Sequence, residues 1–75
     1  MNVRYAVFHS TTGVSWQPST IDGYLHLLES QQKAVALATA LYRHGVCDYW
    51  RVVRIDGASI VAEHSPTEEW SVVTP

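Results

Sequence analysis

The sequence contains a single cysteine, Cys47, among its 75 residues. One thiol cannot form an internal disulfide, so a chain this short depends on packing or on association for its stability. The lack of a disulfide is typical of a reducing compartment. We therefore expect a cytoplasmic protein.

Long apolar runs are also absent. The most apolar window, residues 34–42, is much shorter than the ~20 residues that cross a bilayer. The first nine residues alternate and include Arg4, a pattern unlike the continuous apolar run of a signal peptide. We expect neither a membrane protein nor a secreted one.

Charge is sparse and slightly acidic, with 16% charged residues and a formal net charge of -2. Such a chain offers no general attraction for a phosphate backbone. Its 47% hydrophobic content is too high for a disordered chain, whereas its length allows only one thin core. The sequence predicts one folded domain over residues 1–75.

Several segments combine alternation with β-branched and aromatic residues, which is typical of strands. The Asp56-Gly57 pair predicts a two-residue hairpin turn between two of them. Residues 10–23 are rich in turn formers and predict a loop or a long hairpin arm. The predicted strands are residues 3–8, 24–29, 49–55 and 58–64, with a fifth over residues 70–74 left open. Residues 24–29 also contain good helix formers, so a helix stays an alternative there.

The strongest element is a helix that begins after Ser30, a good N-cap residue. Apolar residues recur on one helix face at positions i, i+3, i+4 and i+7, namely Ala34, Leu37, Ala38 and Leu41. Gly45 can adopt the left-handed conformation that ends the helix. The predicted order is ββαββ.

These elements predict an α+β fold, with a four- to five-stranded antiparallel sheet and one helix packed on one of its faces. One helix cannot cover both faces of such a sheet. The other face is then open to solvent or to a partner, and we expect function there.

The potential metal ligands are scattered along the chain. They are His9, His26, His44, Cys47 and His64, and only His44 and Cys47 have the close spacing typical of zinc ligands. We predict no metal and no cofactor.

Catalytic arrangements are also missing from the pattern. Cys47 follows the C-terminus of the predicted helix and precedes Asp48, and both features disfavour a thiolate. Residues 13–17 lack the second glycine of a nucleophile elbow, and no glycine-rich phosphate loop occurs. We predict a structural cysteine, no catalytic residues and no enzymatic activity.

Aromatic residues are numerous for so short a chain, and Trp, Tyr and Arg dominate binding hot spots. The lead hypothesis is a protein-binding module. Free sheet edges allow a second form of association, a homodimer. The predicted contact residues are Trp16, Trp50, Arg51, Arg54 and Trp70.

A nucleic-acid-binding domain is the alternative, with aromatic faces and cations on the open side of the sheet. Its candidate residues are Arg4, Arg51 and Arg54 beside Phe8, Tyr49 and Trp50. Arg51 and Arg54 differ in strand parity, however, so they fall on opposite faces unless a bulge intervenes. We rank nucleic acid below protein as the partner.

Three runs together resemble small phage-encoded anti-CRISPR proteins. They are residues 30–34 (SQQKA) at the helix start, residues 54–57 (RIDG) in the hairpin and residues 70–72 (WSV) near the end. The resemblance covers residues 30–72 and rests on the arrangement of elements. It implies a phage or mobile-element inhibitor that covers a surface of a bacterial defence complex, and it carries over no functional residue.

Overall fold

The computed structural model describes residues 3–66 and 71–72. Within them the chain forms one helix and seven strands, and the helix is too short to span a membrane. In chain order the elements are β1 (Tyr5–Ser10), β2 (Gln17–Pro18), β3 (Thr20–Ile21), β4 (Tyr24–Leu25), α1 (Gln31–Arg43), β5 (Tyr49–Arg54), β6 (Ser59–His64) and β7 (Ser71–Val72).

Five strands form one antiparallel sheet in the order β2-β1-β5-β6-β7. Helix α1 connects the two-stranded ribbon β3–β4 to the central strand β5, and it packs over β1 and β5. The predicted α+β class, with one helix on one face of an antiparallel sheet, is confirmed.

The second strand of the sheet lies elsewhere than predicted. Of the predicted strand 24–29, Tyr24–Leu25 pairs with β3 in the separate ribbon, and Leu28 makes only an isolated antiparallel bridge with Tyr5 of β1. Asp22 and Gly23 both have positive φ, 53° and 83°, and their tight turn folds this segment on itself. Strand β2 comes from the segment that was predicted to be a loop or a long hairpin arm, and it pairs back onto β1 as a hairpin arm does.

The ribbon is held to the sheet by backbone hydrogen bonds. Tyr5 N donates to Leu28 O at 2.9 Å and Leu28 N donates to Tyr5 O at 2.8 Å. Ser19 N donates to Val7 O at 2.8 Å on the other side of the ribbon. The residues of β3 and β4 are all exposed, so the ribbon projects from the domain.

The helix has the predicted limits. Ser30 Oγ accepts a hydrogen bond from Lys33 N at 3.2 Å, which satisfies one of the free amides of the first turn. After Arg43 the chain turns at Gly45, whose φ is +76° and whose N–H donates to Tyr42 O at 3.1 Å. Both caps are local in sequence, which is why the pattern predicts them.

The hairpin β5–β6 is confirmed, but its turn is longer than the predicted two residues. Arg54 pairs with Ser59, so residues 55–58 form a four-residue loop. The left-handed position in this loop is taken by Ala58, with φ +53°, rather than by Gly57. A residue with a Cβ is strained there because the Cβ crowds the carbonyl oxygen that follows it.

The core lies between α1 and the sheet, and Trp50, which is 1% exposed, is the largest of its fully buried side chains among the described residues. Ala34 and Ala38 bring the helix close to the strands because their side chains are short. The buried cluster consists of Val7, Ala34, Ala38, Cys47, Trp50, Val52 and Ala62. One tryptophan is therefore the largest member of a buried cluster otherwise built from small residues.

Substitution Ala58→Gly should stabilise the protein by about 1 kcal/mol, because glycine adopts positive φ without a Cβ clash. The matched control is Ala40→Gly on the exposed side of the helix, which should destabilise by about 1 kcal/mol. Urea unfolding of the three proteins measures both effects. A loss of stability in Ala58→Gly would contradict the strain assigned to the loop.

Candidate binding surface on the open sheet face

The strand register assigns each side chain of the sheet to one of two faces. Val7, Val52 and Ala62 are paired across β1, β5 and β6 and belong to the core, so their face is the one that the helix covers. Side chains of the other parity point away from the helix. This open face consists of Ala6, Phe8, Tyr49, Arg51, Val53, Ile60 and Glu63.

The open face is largely apolar and partly accessible. Phe8, Tyr49 and Val53 are half-buried, and Ile60 is 36% exposed. Ala6 is inaccessible because its methyl group is shorter than its neighbours on the same face. The helix of the described residues packs on the opposite face, so it does not cover these side chains.

The loop over residues 11–15 covers one end of this face. Ser10 Oγ accepts from Thr12 N and Gly13 N at 3.1 and 2.8 Å, and Thr12 Oγ1 accepts from Val14 N and Ser15 N at 3.1 and 3.2 Å. The two side-chain hydroxyls thereby take the place of backbone carbonyl acceptors and stabilise the conformation of the loop.

Gly13 lies directly against the ring of Tyr49. A Cβ at this position would come within 3.0 Å of that ring, and φ is +81°, so glycine alone fits. Glycine at this position therefore allows the loop to pack directly on the Tyr49 ring.

Trp16 meets two side chains of the open face. The guanidinium carbon of Arg51 lies 4.1 Å from the centroid of the Trp16 ring. The rings of Trp16 and Tyr49 meet edge to face, with their centroids 6.4 Å apart. These contacts have the geometry of a cation–π pair and an aromatic pair. We call Trp16, Tyr49 and Arg51 the Trp16 cluster.

Glu63 places a negative charge beside Arg51 of the cluster. Its Oε2 lies 3.7 Å from Nε of Arg51, and the two side chains are 45% and 39% exposed. An ion pair this exposed adds little to stability. Its effect is to orient the guanidinium and to balance its charge.

The structure brings together two of the five predicted contact residues, Trp16 and Arg51. Trp50 is wrong as a contact residue, because its parity on β5 turns it into the core under the helix. Arg54 lies on the opposite side of the sheet from the open face, since it has the same parity as Trp50. Its guanidinium pairs with Asp56 at 2.7 Å. Trp70 lies outside the described residues.

The two aromatic residues of the open face, Phe8 and Tyr49, were not among the predicted protein contacts. The alternation of β1 and β5 is the sequence signal for these two residues, since both lie on the same face of the sheet as Arg51. The one register shift in the hairpin inserts Val61 into β6, so β5 keeps its alternation. Arg51 and Arg54 accordingly lie on opposite faces, as the parity predicts.

Cys47 is a core residue, at 2% exposure. Burial raises the pKa of its thiol from the ordinary value of 9.0, and the negative charge of Asp48 raises it further. Both effects favour the neutral thiol, which is a poor nucleophile. Among residues 3–66 and 71–72, no three histidine, cysteine or acidic side chains come together as metal ligands.

Comparison of the chain with protein-family models, with curated proteins and with solved structures finds no match.

Cys47 should react with a thiol reagent such as Ellman's reagent roughly a hundredfold more slowly in the native protein than in urea at pH 8. Burial blocks access, and the raised pKa leaves less thiolate than in the unfolded chain. The folded protein also holds the thiol proton more tightly, so stability should fall as the pH rises above 9.0. Equal labelling rates in the two states would contradict the burial of this residue.

Proposed function

We propose that this protein is a non-enzymatic protein-binding module whose open sheet face docks onto a protein partner. The observation that carries the proposal is the Trp16 cluster, in which one tryptophan contacts both a tyrosine and an arginine on an accessible sheet face. These are the residue types enriched in binding hot spots. Phe8, Val53 and Ile60 extend the cluster with apolar surface.

Electrostatics favour a protein over a nucleic acid as the partner. Phosphate binding needs cations without carboxylates beside them, whereas Arg51 already faces Glu63. Arg54 lies on the other side of the sheet and pairs with Asp56. The formal net charge of -2 adds no long-range attraction for phosphate.

We extend the proposal to inhibition by surface occlusion in the bacterial cytoplasm. The resemblance to anti-CRISPR proteins motivates this step, and the small α+β domain with a hot-spot cluster is compatible with it. An inhibitor of this kind needs no catalytic residue, because it acts by covering a surface of a defence complex. The partner would contact Trp16 and Arg51 at the centre of the interface.

A homodimer is the second form of association that we propose. Strand β2 has a free outer edge among the described strands, and the projecting ribbon exposes Ile21, Tyr24 and Leu25 at 52%, 78% and 43%. Free edges and exposed apolar side chains both favour association. Light scattering at micromolar concentration should then give twice the monomer mass of 8.4 kDa, and a strictly monomeric mass would remove the dimer.

Substitutions Trp16→Ala and Arg51→Gln should each weaken partner binding, by about 30-fold for the tryptophan, because a central hot spot contributes about 2 kcal/mol or more. The partner is first captured from the native cell with the unaltered protein and identified by mass spectrometry. Binding of each purified variant to that partner is then measured by calorimetry. Matched controls are Val46→Ala, an exposed apolar residue after the helix, and Lys33→Gln, on the helix, which should bind the partner as the unaltered protein does.

Equal binding by Trp16→Ala and Val46→Ala would contradict the role of the Trp16 cluster. A second arm tests the nucleic-acid alternative with a single-stranded 20-nucleotide probe at low and at moderate salt. Phosphate-dominated binding weakens steeply with salt, whereas an aromatic protein interface does not. We expect no binding at moderate salt, and a complex that survives there would overturn the proposal.

A further inference from the structure

The tripeptide Ile-Asp-Gly occurs twice in this chain, at residues 21–23 and at residues 55–57. An aspartyl side chain followed by glycine can close a ring onto the main chain, because glycine puts no Cβ beside the attacking nitrogen. The two copies have the same local sequence. A difference in their reactivity therefore has to come from the fold.

The first copy forms the tip of the ribbon β3–β4. Asp22 and Gly23 are exposed, and their φ angles of 53° and 83° are those of a two-residue turn. A Cβ built on Gly23 would meet no other group within 4 Å, so the space around this peptide is open. The ribbon below the turn pairs over two residues on each strand, and a ribbon this short opens readily.

The second copy is exposed too, but its side chain and its backbone are held. Nε and Nη2 of Arg54 lie 2.7 and 3.1 Å from the two carboxylate oxygens of Asp56, which makes a bidentate pair. Ile55 N donates to Arg4 O at 2.9 Å, which ties the residue before Asp56 to the start of β1. Among the described residues no ion pair holds Asp22.

We propose that Asp22 is a site of spontaneous isomerisation to isoaspartate and that the fold protects Asp56 from the same reaction. The main-chain nitrogen of Gly23 attacks Cγ of Asp22, so an N–C bond forms and a Cγ–O bond breaks. The amide proton leaves with the hydroxyl of the neutral carboxyl group as water. Water then adds to the main-chain carbonyl carbon of Asp22, the bond from that carbon to nitrogen breaks, and a proton returns to nitrogen.

The two environments differ in what has to happen before the ring closes. The carboxyl group has to turn toward the next main-chain nitrogen, so at Asp56 the pair with Arg54 breaks first, whereas at Asp22 only the turn has to open. The pair is exposed, which predicts a rate difference of about threefold or more, not complete protection. The inference uses neither the open face nor the Trp16 cluster, so it does not rest on the proposed function.

The product differs from the original protein in its main chain. The chain now runs through the side-chain carbonyl of residue 22, which adds one carbon to a two-residue turn. The pairing of Thr20 with Leu25 and of Ile21 with Tyr24 depends on the length of that turn. Isomerisation should therefore change the ribbon and leave the five-stranded sheet intact.

The test is incubation of the full chain in H₂¹⁸O at pH 6 and 37 °C, followed by trypsin digestion, chromatography and mass spectrometry. Trypsin separates the three aspartates, because a lysine or an arginine lies between each pair of them. Each ring opening places one heavy oxygen in the peptide, and the isoaspartyl form elutes apart from the aspartyl form. We expect isoaspartate to accumulate at Asp22 about threefold faster or more than at Asp56. Asp48 precedes Tyr49 and should stay unchanged, as an internal control.

Further controls separate the fold from the local sequence. In guanidinium chloride, which unfolds the chain, the two Asp-Gly pairs should react at similar rates. Arg54→Gln replaces an exposed side chain, so the fold should persist, and it should speed the reaction at Asp56 roughly twofold or more without changing that at Asp22. Asp22→Glu should remove the product of the first site, because the larger glutamyl ring closes far more slowly.

The inference is overturned if the native protein isomerises Asp56 as fast as Asp22 or faster. It is also overturned if the native protein forms no isoaspartate at Asp22 over a period in which the unfolded chain accumulates it. A rate difference that persists in guanidinium chloride would contradict the role of the fold. An unchanged rate at Asp56 in Arg54→Gln would contradict the protection assigned to the ion pair.

Discussion

The packing of one helix against the middle of the sheet is the constraint on which the rest of this structure depends. Ala34 and Ala38 are fully buried against β1 and β5, and their short side chains allow close approach of the helix. Trp50 is the largest fully buried side chain in that contact among the described residues. Because a thin core of this kind forms on one side of the sheet only, the domain keeps its second sheet face for other uses.

Two surfaces with different chemistry follow from this packing. On the open face, Trp16 stacks on Arg51 and the adjacent Glu63 balances the charge, so the surface is apolar, aromatic and locally neutral. On the helix side, Tyr42, Trp50 and His64 line a groove with Arg43 at its rim. The first surface suits the hot spot of a protein interface, whereas in the second the three rings pack on one another. Both use side chains of the hairpin β5–β6, whose alternation sends successive residues to opposite sides.

Much of the fold is predictable because its signals are local. Ser30 and Gly45 mark the helix ends through their own backbone and side-chain chemistry, and alternation marks the strands of the hairpin. Strand β2 carries no such signal, since Gln17–Pro18 becomes a strand only by pairing with β1. The contact between Trp16 and Arg51 likewise depends on the fold of the loop that starts at Ser10. Trp50 was misjudged because strand parity alone does not say which face the helix covers.

The accessibility of the open face is the claim on which the proposed function depends most directly. Hydroxyl-radical footprinting with mass spectrometry reports the solvent exposure of individual side chains in solution. The account predicts that Phe8, Trp16 and Tyr49 are oxidised many times faster than Trp50, which should stay protected in the core. Protection of Phe8, Trp16 and Tyr49 equal to that of Trp50 in the monomeric protein would contradict it.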